Sequence, residues 1–146
     1  MSKPSNRLLT AIIVIAVIGL GDAAYLTYVH YHPAALICGS DAAHSSCHTV
    51  QTSIWSKVGG IPVALLGLIG YLMLLGSLFL RGELGRATGF MVALIGFGFS
   101  MYLTFREAVS LHGTYCEWCL GSAACLTILM VLTGTRFLRG APTTAP

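Results

Sequence analysis

Apolar positions run along this chain in four long blocks separated by short polar punctuation. The first extends from Leu8 to about His30 and is broken only by Asp22. The second, Ile61 to Leu80, and the third, Ala87 to Phe105, contain no charged residue. The fourth runs from about Cys116 to Leu138, with Glu117 and Arg136 near its ends. About 20 apolar residues in a helix cross a hydrocarbon core of about 30 Å. The pattern therefore predicts four transmembrane helices over residues 8–30, 61–80, 87–105 and 116–138, an all-α integral membrane bundle. Pro62 follows Gly60-Ile61 and suits a first helical turn, where its missing N–H has no intrahelical partner. The short link from Leu80 to Ala87 makes spans two and three an antiparallel hairpin. Residues 1–140 are expected to form one membrane domain, and the Ala/Pro/Thr-only residues 141–146 a disordered tail.

Composition strengthens this reading. Of 146 residues, 55% are hydrophobic and 9% charged, too few charges to cover the surface of a soluble domain. The same scarcity excludes a nucleic-acid binder with a dense basic face. Of the eight basic residues, Lys3, Arg7, Arg81, Arg86, Arg136 and Arg139 fall on one side of the four spans, and only Lys57 and Arg106 on the other. The positive-inside rule then places both termini in the cytoplasm, in a multi-pass protein of the inner or plasma membrane. Residues 1–24 also have features of a signal peptide, ending in Ala23-Ala24. The apolar run is long for one, and cleavage would put the remaining basic loops outside, so the first helix is expected to be retained.

Five cysteines add chemistry. Cys38 and Cys47 lie between spans one and two, and Cys116-Glu-Trp-Cys119 opens span four. All four belong to the outer face, where disulfides persist. Two cysteines three apart at a helix start share a face, and the helix N-terminus favours a thiolate. Cys125, two turns deeper, is expected to pack as a small apolar residue. Other readings of the cysteines are a zinc site with His44 and His48 or two inert structural disulfides. The eight residues between Cys38 and Cys47 are not a zinc-knuckle spacing, and no metal is expected.

The segments Gly19-Leu-Gly-Asp-Ala-Ala-Tyr-Leu-Thr-Tyr28 and Gly96-Phe-Gly-Phe-Ser-Met-Tyr-Leu-Thr-Phe105 align without gaps at an offset of 77. Shifting Cys38 by the same offset lands beside Cys116. The chain thus reads as two helical hairpins, each leading to a cysteine pair. Asp22 replaces the apolar Phe99 of the second copy. Ionisable groups in spans face the bundle interior or a polar cavity, so Asp22 is a candidate accessory residue, paired with Arg106 or Lys57 or shaping a pocket.

The ordered set Cys38…Cys47, Cys47-His-Thr-Val-Gln-Thr-Ser53, Gly60-Ile-Pro62 and Cys116-Glu-Trp-Cys119 resembles the vitamin K epoxide reductase family, over about Gly19 to Leu138. It is similar to bacterial-type members without a fused thioredoxin-like domain. The resemblance implies a four-helix bundle around a quinone, ubiquinone or menaquinone, capped by an outer half-helix. Trp55 and the apolar positions from Val50 to Val58 suit that cap. It also implies that Cys38 meets a DsbA-like thioredoxin-fold protein, that Cys47 exchanges with Cys116, and that Cys119 and Ser53 face the quinone. Such a relay of two pairs moves two electrons by thiol–disulfide exchange. The vertebrate enzymes have a tyrosine four residues after the second CxxC cysteine, where Ala123 stands here, and an asparagine on span two. The only asparagine in this chain is Asn6. Reduction of an ordinary membrane quinone is therefore expected in place of epoxide reduction.

A DsbB-type quinone reductase has similar chemistry, but its CxxC lies in the first outer loop. A membrane scaffold with structural disulfides is the non-enzymatic alternative. Glu107 and His112, near the outer end of span three, read as solvated loop groups, and Asp22, Glu107, His112 and Glu117 are the groups open to a role in proton transfer.

Overall fold

A computed structural model describes residues 3–110, 112 and 115–140, with side chains described for residues 6–40, 45–110, 112 and 115–140. The expected tail at 141–146 lies outside the described residues, as does the His44 side chain. Five helices are present: α1 (Lys3–Tyr31), α2 (Asp41–Thr52), α3 (Val63–Ser77), α4 (Gly82–Ser110) and α5 (Glu117–Gly140). A two-stranded ladder, β1 (Lys57–Val58) with β2 (Ile61–Pro62), sits before α3. Three helices are long and apolar enough to cross a membrane: Asn6–Tyr31, Gly82–Ser110 and Glu117–Gly140. Many of their large side chains, such as Val17, Ile18, Met91, Ile95 and Val131, are exposed. Apolar surface on this scale requires lipid, and this is a membrane protein.

The second expected span differs most, in kind and not only in its bounds. The apolar run from Ile61 to Leu80 is not one helix, because α3 covers only its middle 15 residues. At its start, Gly59 and Gly60 both have positive φ, 59° and 87°. That is the backbone of a tight hairpin turn, and it draws Ile61 and Pro62 into a ladder instead of a first helical turn. Pro62 becomes the residue before the helix, with φ −58° and ψ 132°. At its end the N–H groups of Leu78, Phe79 and Leu80 bond to carbonyls three residues back, tightening the last turn. Gly85 of α4 lies so close to this end that a Cβ there would meet the Leu80 and Ser77 carbonyls.

The four long helices form a ring in which α1 and α4 each pack against both α3 and α5. The inner core consists of Ile12, Ala16 and Ala23 of α1, Tyr71 and Leu74 of α3, Ala93 of α4 and Leu129 of α5. Cys125 packs against it, half-buried, as expected of a small apolar residue. Tyr71 crosses the ring, and its hydroxyl meets the Ser122 hydroxyl at 3.0 Å. Gly19 makes room for the ring of Tyr71, while its repeat counterpart Gly96 makes room for Leu126. Thr27 and Thr104, also equivalent, each donate to the carbonyl four residues back. The repeat is thus a shared packing design.

The cap differs from expectation in position. The outer helix is α2, over residues 41–52, and not the stretch from Val50 to Val58. Residues 54–56 form a single 3-10 turn. The polar α2 sequence masks an inward face made by Cys47 and Val50, which are both buried.

Candidate functional site

A second core lies beneath α2 and contains Val29, Leu36, Cys47, Val50 and Cys116, with Tyr25, Cys38, Trp118 and Cys119 packed around it. Four of the five cysteines therefore meet at one place. Cys47 and Cys116 are both fully buried, and their sulfurs share a hydrogen bond at 3.3 Å. The Cys38 thiol hydrogen-bonds to Cys47, and Cys119 to Cys116. The sulfurs thus run in the order Cys38, Cys47, Cys116, Cys119, every one a free thiol. Cys38 and Cys119 at the ends are half-buried.

Cys116 sits immediately before α5, and its carbonyl accepts the bond from Leu120 N–H that closes the first helical turn. Its sulfur receives hydrogen bonds from the backbone N–H groups of Trp118 and Cys119. A side-chain acceptor on the second and third N–H groups of a helix is what an N-cap Ser or Asp provides. Here a sulfur fills that role. Donation from the Cys119 thiol, the two backbone N–H groups and the Cys47 thiol brings the Cys116 thiol down to about 6 against the opposing effect of burial. Burial pushes Cys47 the other way, well above the usual thiol range, and its bonds to Cys38 and Cys116 add to that.

The segment bearing Cys38 is fixed on both flanks. Tyr25 Oη accepts from Ile37 N–H at 2.7 Å and donates to the Ala35 carbonyl at 3.2 Å. Trp118 Nε1 donates to the Ile37 carbonyl at 2.9 Å, and Gly39 N–H donates to Glu117 Oε1 at 3.0 Å. The two residues between the CxxC cysteines therefore hold the two neighbours of Cys38. Donor atoms of Cys38, Cys47 and Glu117 lie within 4.8 Å of one another, a set with the chemistry for a soft cation. The exposed His48 is not among them.

Cys119 opens onto a cavity of about 410 Å³ lined by all four long helices and by residues 50–56. Its walls are mainly apolar, with Leu26, Leu66, Phe99 and Leu103 among them, and its polar points include His30, Gln51, Ser53, Glu107, Cys119 and Ser122. A ring of one or two fused cycles with an apolar tail matches a pocket of this size and character. Ser53 Oγ donates to the Val50 carbonyl at 2.7 Å. Arg106 lies 3.8 Å from the centroid of Trp55, a cation–π contact that ties the residues after α2 to α4.

A vitamin K epoxide reductase family model matches residues 10–134. The chain belongs to that family. No curated protein and no solved structure gives a significant match. Family membership and the membrane helices make it a thiol-redox membrane enzyme, an oxidoreductase. Among the described residues no second domain accompanies the bundle.

The structure brings Cys38, Cys47, Cys116 and Cys119 together and places Ser53 on the cavity wall with Cys119, while Asp22 feels the charge of Cys116 and acts on Cys119 without the expected cation. Asp22 pairs with neither Arg106 nor Lys57: both its carboxylate oxygens are buried without a hydrogen-bond partner, and it does not line the cavity. The Arg106 guanidinium is instead on Trp55. Glu107 is the other departure. Expected as a solvated loop group, it lies within α4 and is only 6% exposed, because the helix continues to Ser110. Its signal was present in the spacing Gly96, Ser100, Leu103, Glu107, which recurs on one helical face, and all four line the cavity.

Proposed function

We propose that the chain is a quinone-dependent thiol oxidase that makes disulfides for exported proteins. The observation that carries this reading is the row of four sulfurs running from the half-buried Cys38 to Cys119 at an apolar cavity. A thioredoxin-fold dithiol of the DsbA kind attacks Cys38 of the Cys38–Cys47 disulfide and releases Cys47. Cys47 then attacks Cys116 of the Cys116–Cys119 disulfide, across the 3.3 Å contact. Cys119 departs, and the partner's second thiol resolves its mixed disulfide and frees Cys38. When Cys38 in turn attacks Cys47, Cys116 departs, and a thiol with a pKa of about 6 is a good leaving group. The outcome is a reduced CxxC and a re-formed Cys38–Cys47 disulfide. A quinone supplies the capacity to accept two electrons and two protons. Cys119, Ser53, Ser122 and the apolar walls would hold it.

The same reading counts α3 as a fourth crossing, extended by Ile61–Pro62 and Leu78–Leu80. It places both termini in the cytoplasm. Supporting that orientation, Arg86 donates to the Gly140 carbonyl at 2.9 Å and faces Arg136, so basic groups from two separate segments share one end of the bundle. The cysteines are at the other end, toward the periplasm or cell exterior. Ala123 in place of the vertebrate tyrosine favours a simple quinone over an epoxide.

The test is anaerobic mixing of purified protein with ubiquinone or menaquinone and a reduced thioredoxin-fold dithiol protein, following quinone absorbance. Wild type reduces the quinone, and both Cys38→Ala and Cys119→Ala abolish reduction. Loss with Cys119→Ala alone means that the outer pair is bypassed. No reduction with any quinone or dithiol, with intact thiols, refutes the reading.

A further inference from the structure

Among the described residues, Glu107 is the one carboxyl group that lines the cavity beside Cys119. It is 6% exposed, and its Oε2 is buried with no hydrogen-bond partner. The backbone N–H of Cys116 interacts with the same carboxylate. An unpartnered polar oxygen in an apolar pocket is costly, and such groups point to a role beyond packing. The titratable groups acting on it include Cys116, with Cys119 beside it and Asp22 of α1 acting on Cys119 in turn, and His30 and Tyr71 line the same cavity. Arg106, its neighbour in sequence, is stacked on Trp55.

We propose that Glu107 carries a proton from the Cys116–Cys119 pair to a quinone in the cavity. This rests on the thiol oxidase reading above. In the reduced pair Cys116 is a thiolate, and Glu107, neutral at the outset, holds the proton that this sulfur has given up. The overall step breaks the Cys119 S–H bond and the Glu107 O–H bond, forms one S–S bond and leaves the quinone with two new O–H bonds. The cysteines lose two electrons and the quinone gains them. The negative charge that begins on Cys116 ends on the Glu107 carboxylate. Glu107 takes up a proton again when the CxxC pair is next reduced.

Glu107→Gln preserves shape and an oxygen for the Cys116 N–H, so a purely structural role survives that change. The measurement combines steady-state quinone reduction, quinone affinity from tryptophan quenching, and infrared difference spectra of quinone-free protein between dithiol and disulfide forms. The expected result is a kcat about 100-fold lower with quinone affinity within about threefold of wild type. The infrared difference carries a carboxyl C=O band that shifts in D2O and is missing from Glu107→Gln. A Glu107→Gln enzyme with wild-type kcat overturns the inference while leaving the oxidase reading intact. A wild type that exchanges thiols but reduces no quinone overturns both. Should Glu107→Gln not fold, wild type labelled with 13C-glutamate carries the test. Glu83 and Glu117 are exposed, so a buried glutamate carboxyl must change between the two redox forms, and its constancy overturns the proton-carrier role.

Discussion

Reduced protein should alkylate at Cys116 with a midpoint near pH 6, and Cys119→Ala should raise that midpoint. The thiolate is the reactive form, so the rate climbs about tenfold per pH unit below the midpoint and is flat above it. Cys116 is brought down from 9.0 to about 6, which at pH 7 means about 90% thiolate in place of about 1%. Three pH units correspond to about 4 kcal/mol favouring the ionised form. The largest contributor is the hydrogen bond from the Cys119 thiol, with the backbone N–H of Cys119, the Cys47 thiol and the backbone N–H of Trp118 adding to it. Removing the Cys119 thiol leaves the other three donors, so the midpoint should rise by about one unit, or about 1.4 kcal/mol, and stay below the ordinary thiol value. The assay is iodoacetamide labelling of anaerobic, reduced protein across pH 4–10, quantified on the Cys116 peptide by mass spectrometry. Restricted access lowers the plateau rate, while the upward effect of burial on the midpoint is already contained in the value of about 6. The same depressed value stabilises the reduced fold most above the ordinary thiol pKa, and that contribution is lost as pH falls through about 6. A wild-type midpoint above 8, or an unchanged midpoint in Cys119→Ala, refutes the N-cap account.

Other expectations follow from packing and hydrogen bonds. Gly19→Ala drives a methyl into the Tyr71 ring and should cost about 1–3 kcal/mol by overpacking, read as a lower thermal midpoint in detergent. Gly21→Ala, with nothing within 4 Å of the added methyl, should hold or raise that midpoint, and equal effects would sink the close-approach argument. Trp118→Phe removes the bond to the Ile37 carbonyl and should loosen the Cys38 segment by about 1 kcal/mol. Faster dithiothreitol reduction of the Cys38–Cys47 disulfide is the readout, and an unaltered rate would deny the clamp. Trp55→Ala removes a ring that both lines the cavity and receives Arg106, and should weaken quinone binding severalfold in a dialysis or quenching assay.

The cysteines and the long helices were legible because their signals are local. An apolar run announces α1, α4 and α5, and a CxxC at the start of α5 announces its own chemistry. The second span was misjudged because a hairpin built on Gly59-Gly60 competes with helix at Ile61-Pro62, and hydropathy is blind to that competition. The cap was misplaced for a similar reason. Among its described side chains α2 buries Cys47 and Val50, so its sequence reads as polar loop, whereas Trp55 and its apolar neighbours looked more like an interfacial helix. Glu107 was hidden by a boundary. With α4 ended at Phe105 it falls in a loop, and five more helical residues turn it into the cavity wall. Asp22 was matched to a cation by charge alone, and only the fold reveals that Arg106 is occupied by Trp55.

Glu117 and Trp118 do more than separate two cysteines. Because they grip Gly39 and Ile37, the outer cysteine is mechanically linked to the first turn of α5. That turn is also where the Cys116 sulfur serves as cap, and oxidation to the Cys116–Cys119 disulfide takes away the anionic sulfur that its N–H groups favour. Two hydrogen bonds, of 3.0 and 2.9 Å, thus tie the flanks of Cys38 to that turn, so the helix that carries the inner pair also positions the outer one.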